Sequence, residues 1–138
     1  MEDKNYSIDA ELKGDFSDVL KKVKSAFAEQ GFGIMTEINA KAVLKEKLGK
    51  DFDDYVILGI CNPPIAYSLL QKERDVGLVL PCNVIVFEDK KEGVIKVKAM
   101  NPETALSIFE GSEIGEIDCE AREKIVEAIK SLKKEYLE

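Results

Sequence analysis

The chain has 138 residues, 45% of them hydrophobic, which fits a single domain whose own core needs no disulfide or structural metal. A formal charge of −7, with lysines interspersed among acids, offers no basic face and argues against nucleic acid as a partner. The absence of histidine removes Ser-His-Asp and Cys-His catalysis, histidine zinc sites and histidine proton transfer, so any reaction here falls to carboxylate, lysine, tyrosine or thiolate.

Met1-Glu2-Asp3-Lys4 is charged and no apolar run follows, so it reads as neither a signal nor a transit peptide. No stretch approaches the ~18 apolar residues of a membrane span, and the cytoplasm is the expected location. Residues 5–12 alternate Tyr6, Ile8, Ala10 and Leu12 with polar neighbours, the period of a strand with one buried face. Gly14-Asp15 interrupts it, and Asp15 or Ser17 can cap a helix over 16–30. Phe16, Val19, Leu20, Val23, Ala26 and Phe27 make that helix amphipathic, and Gly31 stops it. Residues 32–38 read as a short strand, with Asn39 capping a short helix that ends at Leu48-Gly49.

Residues 54–60 read as a buried strand. Asn62-Pro63-Pro64 opens a helix that runs to about Glu73, with Asn62 as cap and the prolines in the first turn, where a missing N–H costs little. Residues 77–88 are the most β-branched stretch. Pro81 inside it cannot donate a ladder hydrogen bond, so a bulge or a sheet edge is expected there. Residues 89–93 form a turn, and 94–100 pair back as a hairpin. Asn101-Pro102-Glu103 opens another short helix through Phe109, 111–118 is a loop, and a last amphipathic helix covers about 118–135. The expected fold is one α+β domain over 1–138: a mostly antiparallel twisted sheet of about five strands with helices packed against it.

Two Cys-Asn pairs beside prolines, Cys61-Asn62 and Cys82-Asn83, are the chemical feature to explain. If Asn62 caps a helix, Cys61 stands at its positive end, which favours a thiolate. The other reading, which the residues favour, is a small core thiol. Cys82 lies in an apolar strand, where burial raises a thiol's pKa. Facing each other at one end of the sheet, the pair would form a reversible disulfide, carry sulfur, or offer Cys61 and Cys82 to a soft metal. A zinc site would need carboxylates or a second subunit besides. Three cysteines argue against a disulfide framework, and the spacing is not Cys-x-x-Cys. Cys119 reads as a free helical thiol.

Asn62 and Asn83 read either as capping and turn residues or as hydrogen-bonding groups for a ligand. Thr36, Glu37 and Lys41 either rim a pocket or are solvated surface. Tyr67 either points its hydroxyl towards Cys61 or belongs to core or interface. Gly31-x-Gly33 lies between helix and strand and lacks a third glycine, so it is no phosphate loop. No isolated carboxylate pair marks acid–base catalysis, and no cofactor is signalled.

The segments "GFGIMTEI" (31–38), "LKEKLGKDF" (44–52), "YVILGICNPPIA" (55–66) and "VGLVLPCNVIVFE" (76–88) resemble, in order and spacing, the domain of unknown function 302 family. The resemblance covers about residues 6–110 and leaves the terminal helix outside. It implies a compact α+β domain, often a dimer, found in bacteria and archaea, with no assigned reaction. The expected function is a homodimeric module that binds a small molecule or a protein partner through the Cys-Asn end of the sheet. The alternatives are a thiol redox or sulfur-handling protein using Cys61, with or without Cys82, and a thiolate metal site. If the strand at 84–87 lies at an edge, it is the natural pairing surface.

Overall fold

The computed structural model describes residues 5–109 and 115–136. Its strands are β1 (Ser7–Leu12), β2 (Gly33–Asn39), β3 (Tyr55–Cys61), β4 (Cys82–Asp89) and β5 (Val94–Met100). Its α-helices are α1 (Phe16–Glu29), α2 (Ala40–Leu48), α3 (Pro63–Lys72), α4 (Pro102–Leu106) and α5 (Gly115–Tyr136), with 3-10 turns at Arg74–Val79 and Ser107–Phe109. The five strands form one sheet in the order β1-β5-β4-β3-β2, every neighbouring pair antiparallel.

Period-two burial decides which face carries the core. Ala10 and Leu12, Val56, Leu58 and Ile60, Val84 and Val86, and Ile95, Val97 and Ala99 are buried, and the residues between them mostly remain accessible. Helix α1 lays Val19, Val23, Ala26 and Phe27 on this face, and α5 adds Ile125, Ala128, Ile129 and Leu132. Asp15 caps α1 by accepting from the Asp18 N–H at 3.2 Å. The Phe27 and Phe32 rings meet edge to face, 5.9 Å apart, where the chain turns from α1 towards β2. A second, smaller apolar cluster joins α3, the first 3-10 turn, α4 and the start of α5 through Ile65, Leu69, Val76, Leu106 and Ala121.

Three local expectations are corrected. Residues 77–79 are the end of a 3-10 turn, and β4 starts at Cys82, after Pro81. Pro81 therefore needs neither bulge nor edge, because it stands outside the ladder; the Leu80–Pro81 peptide is cis. The irregularity in pairing lies instead in β2, between Ile34 and Thr36. Strand β4 is central, between β3 and β5, so residues 84–87 offer no free edge. The last helix begins at Gly115, three residues earlier than expected, and the first part of the expected loop, 111–114, lies outside the described residues.

Gly59 fixes how closely β2 and the Leu80-Pro81 segment approach the middle of β3. A Cβ there would collide with the Thr36 hydroxyl and come within 2.8 Å of the Pro81 ring. Overpacking of this kind costs roughly 1–3 kcal/mol, so Gly59→Ala is expected to lower stability by about 2 kcal/mol in urea denaturation. Adding Thr36→Ala should restore part of the loss. An unchanged midpoint for Gly59→Ala would show that the contact is slack.

Candidate functional site

The β3 and β4 ladder brings the two Cys-Asn pairs to one end of the sheet. Ile60 pairs with Cys82, and Cys61 is the last residue of β3, immediately before the turn into α3. Both thiols line a single cavity of about 30 Å³. Its other walls are Phe32 and Ile60 from the sheet core, Ile65, Ala66 and Leu69 from α3, and Leu80, Pro102, Leu106 and Ala121. The cavity is thus the seam between the two apolar clusters. A space of this size matches about one water molecule, but a buried water needs two to four polar partners. These walls offer two thiols and an asparagine whose bonds are already made.

That asparagine is Asn62, 9% exposed and the one buried polar side chain among the described residues. Its Oδ1 accepts from the Ile65 N–H at 3.4 Å, capping α3. Its Nδ2 donates to the Gln30 carbonyl at 3.3 Å, at the C-terminal end of α1. Asn62 therefore ties two helix ends together, using one of its two amide N–H donors and one of its oxygen's two lone pairs.

All three cysteines are thiols outside any disulfide. Burial, and secondarily the neighbouring Cys61, pushes the Cys82 thiol up to about 11. At neutral pH Cys82 is a protonated, weakly polar wall and a poor nucleophile. Cys119 is exposed on α5, and its thiol donates to the Glu103 carboxylate at 3.1 Å, away from the cavity lining.

The other candidates lie elsewhere. Thr36 is exposed, with its hydroxyl against Gly59. Glu37 pairs with Lys24 of α1 at 2.7 Å, and Lys41 with Asp54 at 3.6 Å. Asn83 is exposed opposite Gly59 in the ladder. Tyr67 is 65% exposed on α3, its hydroxyl accepting from the Gln71 amide at 3.1 Å. None of the five lines the cavity. The apolar walls Ile65, Leu69 and Leu106 were missed as site residues. Their helical spacing was visible, but only the packing of α3 and α4 over the sheet end reveals what they enclose. Among the described residues no group of three or more Cys, Asp or Glu is placed to hold a metal, and no helix is long and apolar enough to cross a membrane.

A family model described as "Domain of unknown function DUF302" matches residues 8–132. The match runs well into α5, so the terminal helix lies inside the family pattern and not beyond it. Among solved structures, the chain is similar to the crystal structure of an uncharacterized conserved protein DUF302 from Bacillus stearothermophilus. The two share 22% identity and a TM-score of 0.83, over 92% of this chain and 98% of the other, a likeness of fold. No curated protein matches.

Proposed function

This chain belongs to the DUF302 family, a domain of unknown function, and on that premise we propose that it is a binding module whose site is the seam cavity beside Cys61 and Cys82. The ligand class is small and apolar or thiophilic. The observation that carries the reading is the convergence of two free thiols on one cavity whose remaining walls are apolar. Such a site rewards burial of apolar surface and soft, polarizable contact with sulfur. At about 30 Å³ it holds only a few heavy atoms as it stands. A larger ligand would enter by parting the α3–α4 cluster from the sheet core, since the seam runs between them. The raised Cys82 makes it the poorer attacking thiol of the two.

Xenon is a suitable probe, since dry apolar cavities take it up. Under xenon pressure, methyl resonances of Ile60, Ile65, Leu69 and Leu106 are expected to shift. Alkylation of Cys61 and Cys82, followed residue by residue by mass spectrometry, should slow, and that of Cys119 should not. Shifts confined to other methyls, or equal protection of all three thiols, would remove the cavity as the site. Without xenon, at mildly basic pH, Cys61 is expected to alkylate well ahead of Cys82, whose proton is held by burial.

A further inference from the structure

The seam cavity sets how many ligands a metal ion would find there, and the number is two. Cys61 and Cys82 are its soft donors, and among the described residues no carboxylate or methionine joins them on its walls. The chain has no histidine, and no group of three or more Cys, Asp or Glu comes together among the described residues. A structural zinc takes four protein ligands, a catalytic zinc three, and iron–sulfur clusters four cysteines. Calcium and magnesium need oxygen ligands, and Cu(II) a tetragonal set of nitrogen or oxygen. Two thiols among apolar side chains serve none of these. They do serve Cu(I), which is soft, favours thiolate and, with a filled d shell, accepts two sulfurs in line.

The backbone holds the pair at a fixed reach. Ile60 stands opposite Cys82 in the β3–β4 ladder, and Cys61 is one step further on. One ladder step and one strand spacing put the two Cα atoms roughly 6 Å apart. Neighbours along a regular strand point to opposite faces. Cys61, however, ends β3, and there the chain leaves the pleat for α3 under the Asn62 cap. Both residues consequently line one cavity, and Cys61 is near enough to push the Cys82 thiol further up. A space of about 30 Å³ takes one ion and not a cluster. The apolar walls keep water and hard ligands away from it.

We infer that Cys61 and Cys82 form a two-coordinate site for one Cu(I) ion, an assignment that rests on the cavity reading and names its thiophilic ligand. Binding is an exchange with no change of oxidation state. Cu(I) replaces both thiol protons, which leave to solvent, and a singly negative bis-thiolate results. Anaerobic titration against the chromogenic Cu(I) chelator bicinchoninate tests it. The whole chain should withdraw one copper per 15.4 kDa. Cys61→Ser and Cys82→Ala should each weaken withdrawal by about 100-fold or more, since even a residue that only supports a metal ligand is worth about 10–100-fold. Cys119→Ser, on exposed α5, should leave it unchanged, and Zn(II) should not compete. X-ray absorption at the copper edge needs no variant, so it decides even where a substitution unfolds the chain: two sulfur neighbours and no nitrogen or oxygen are expected. A third ligand, one copper shared by two chains, copper lost with Cys119→Ser, or no withdrawal at all overturns the assignment. Xenon separates this failure from that of the cavity. Methyl shifts at Ile60, Ile65, Leu69 and Leu106 in a chain that takes no copper overturn the copper site and leave the cavity to apolar ligands.

Discussion

Replacing Asn62 by alanine is expected to lower folding stability by about 3 kcal/mol. Asn62 is one of three asparagines that cap helices, with Asn39 before α2 and Asn101 before α4. Loss of an exposed cap such as Asn39 costs about 1 kcal/mol. Asn62 differs because it is buried and bonded at both ends. Its alanine variant loses the cap and leaves the buried Ile65 N–H and the part-buried Gln30 carbonyl without these bonds, at roughly 1–3 kcal/mol for a buried group left unpaired. Gly31 makes the double contact feasible. It sits at φ +87°, and a Cβ there would come within 3.0 Å of the Asn62 Nδ2. Urea denaturation should show the Asn62→Ala midpoint falling well below that of Asn39→Ala, with the same slope. A loss of 1 kcal/mol or less would mean the buried bonds contribute little.

Asn62 also shows what the sequence could and could not convey. Its capping role was legible from Asn-Pro-Pro after an apolar run, because a cap and first-turn prolines act locally. The bond to Gln30 was not legible, since it spans 32 residues and depends on how α1 and α3 pack. The same contrast holds along the chain. The alternation in residues 5–12 and 94–100 announced two strands, though not that they pair with each other, and the spacing from Phe16 to Phe27 announced α1. The stretch before Pro81 misled because a short apolar run fits a strand or a buried turn equally well. There Val76 is buried in the smaller cluster, and the 3-10 turn is set by that packing. Glu37 and Lys41, polar near a turn, fitted either a pocket rim or solvated surface; each is engaged in a partly exposed ion pair that only the tertiary structure makes. The two cysteines stood out as lacking a local reason. Their shared cavity follows from the β3–β4 register and from α3 and α4 folding over the sheet end, neither of which a single sequence displays.

Cys82 makes the stability of the protein fall in alkali. An unfolded chain releases this thiol's proton near the ordinary value of 9.0, and the folded chain holds it to about 11, chiefly because burial penalises the thiolate. Between those values the unfolded state binds fewer protons than the native state, so stability that is complete below about pH 9 declines as pH rises. The decline ends above about 11 and amounts to at most about 3 kcal/mol. Lysines and tyrosines titrate in the same range, so the measurement is a difference: urea stability of wild type minus that of Cys82→Ala, at pH 8 and at pH 11. Wild type should lose up to about 3 kcal/mol more than the variant. Cys61→Ala should lessen the effect, because Cys61 is the second contributor to the shift. Parallel losses in wild type and Cys82→Ala would mean that Cys82 ionises as freely folded as unfolded. With the expected difference, Cys82 is a neutral wall at every physiological pH. The cavity then keeps the apolar character on which a small-ligand site depends.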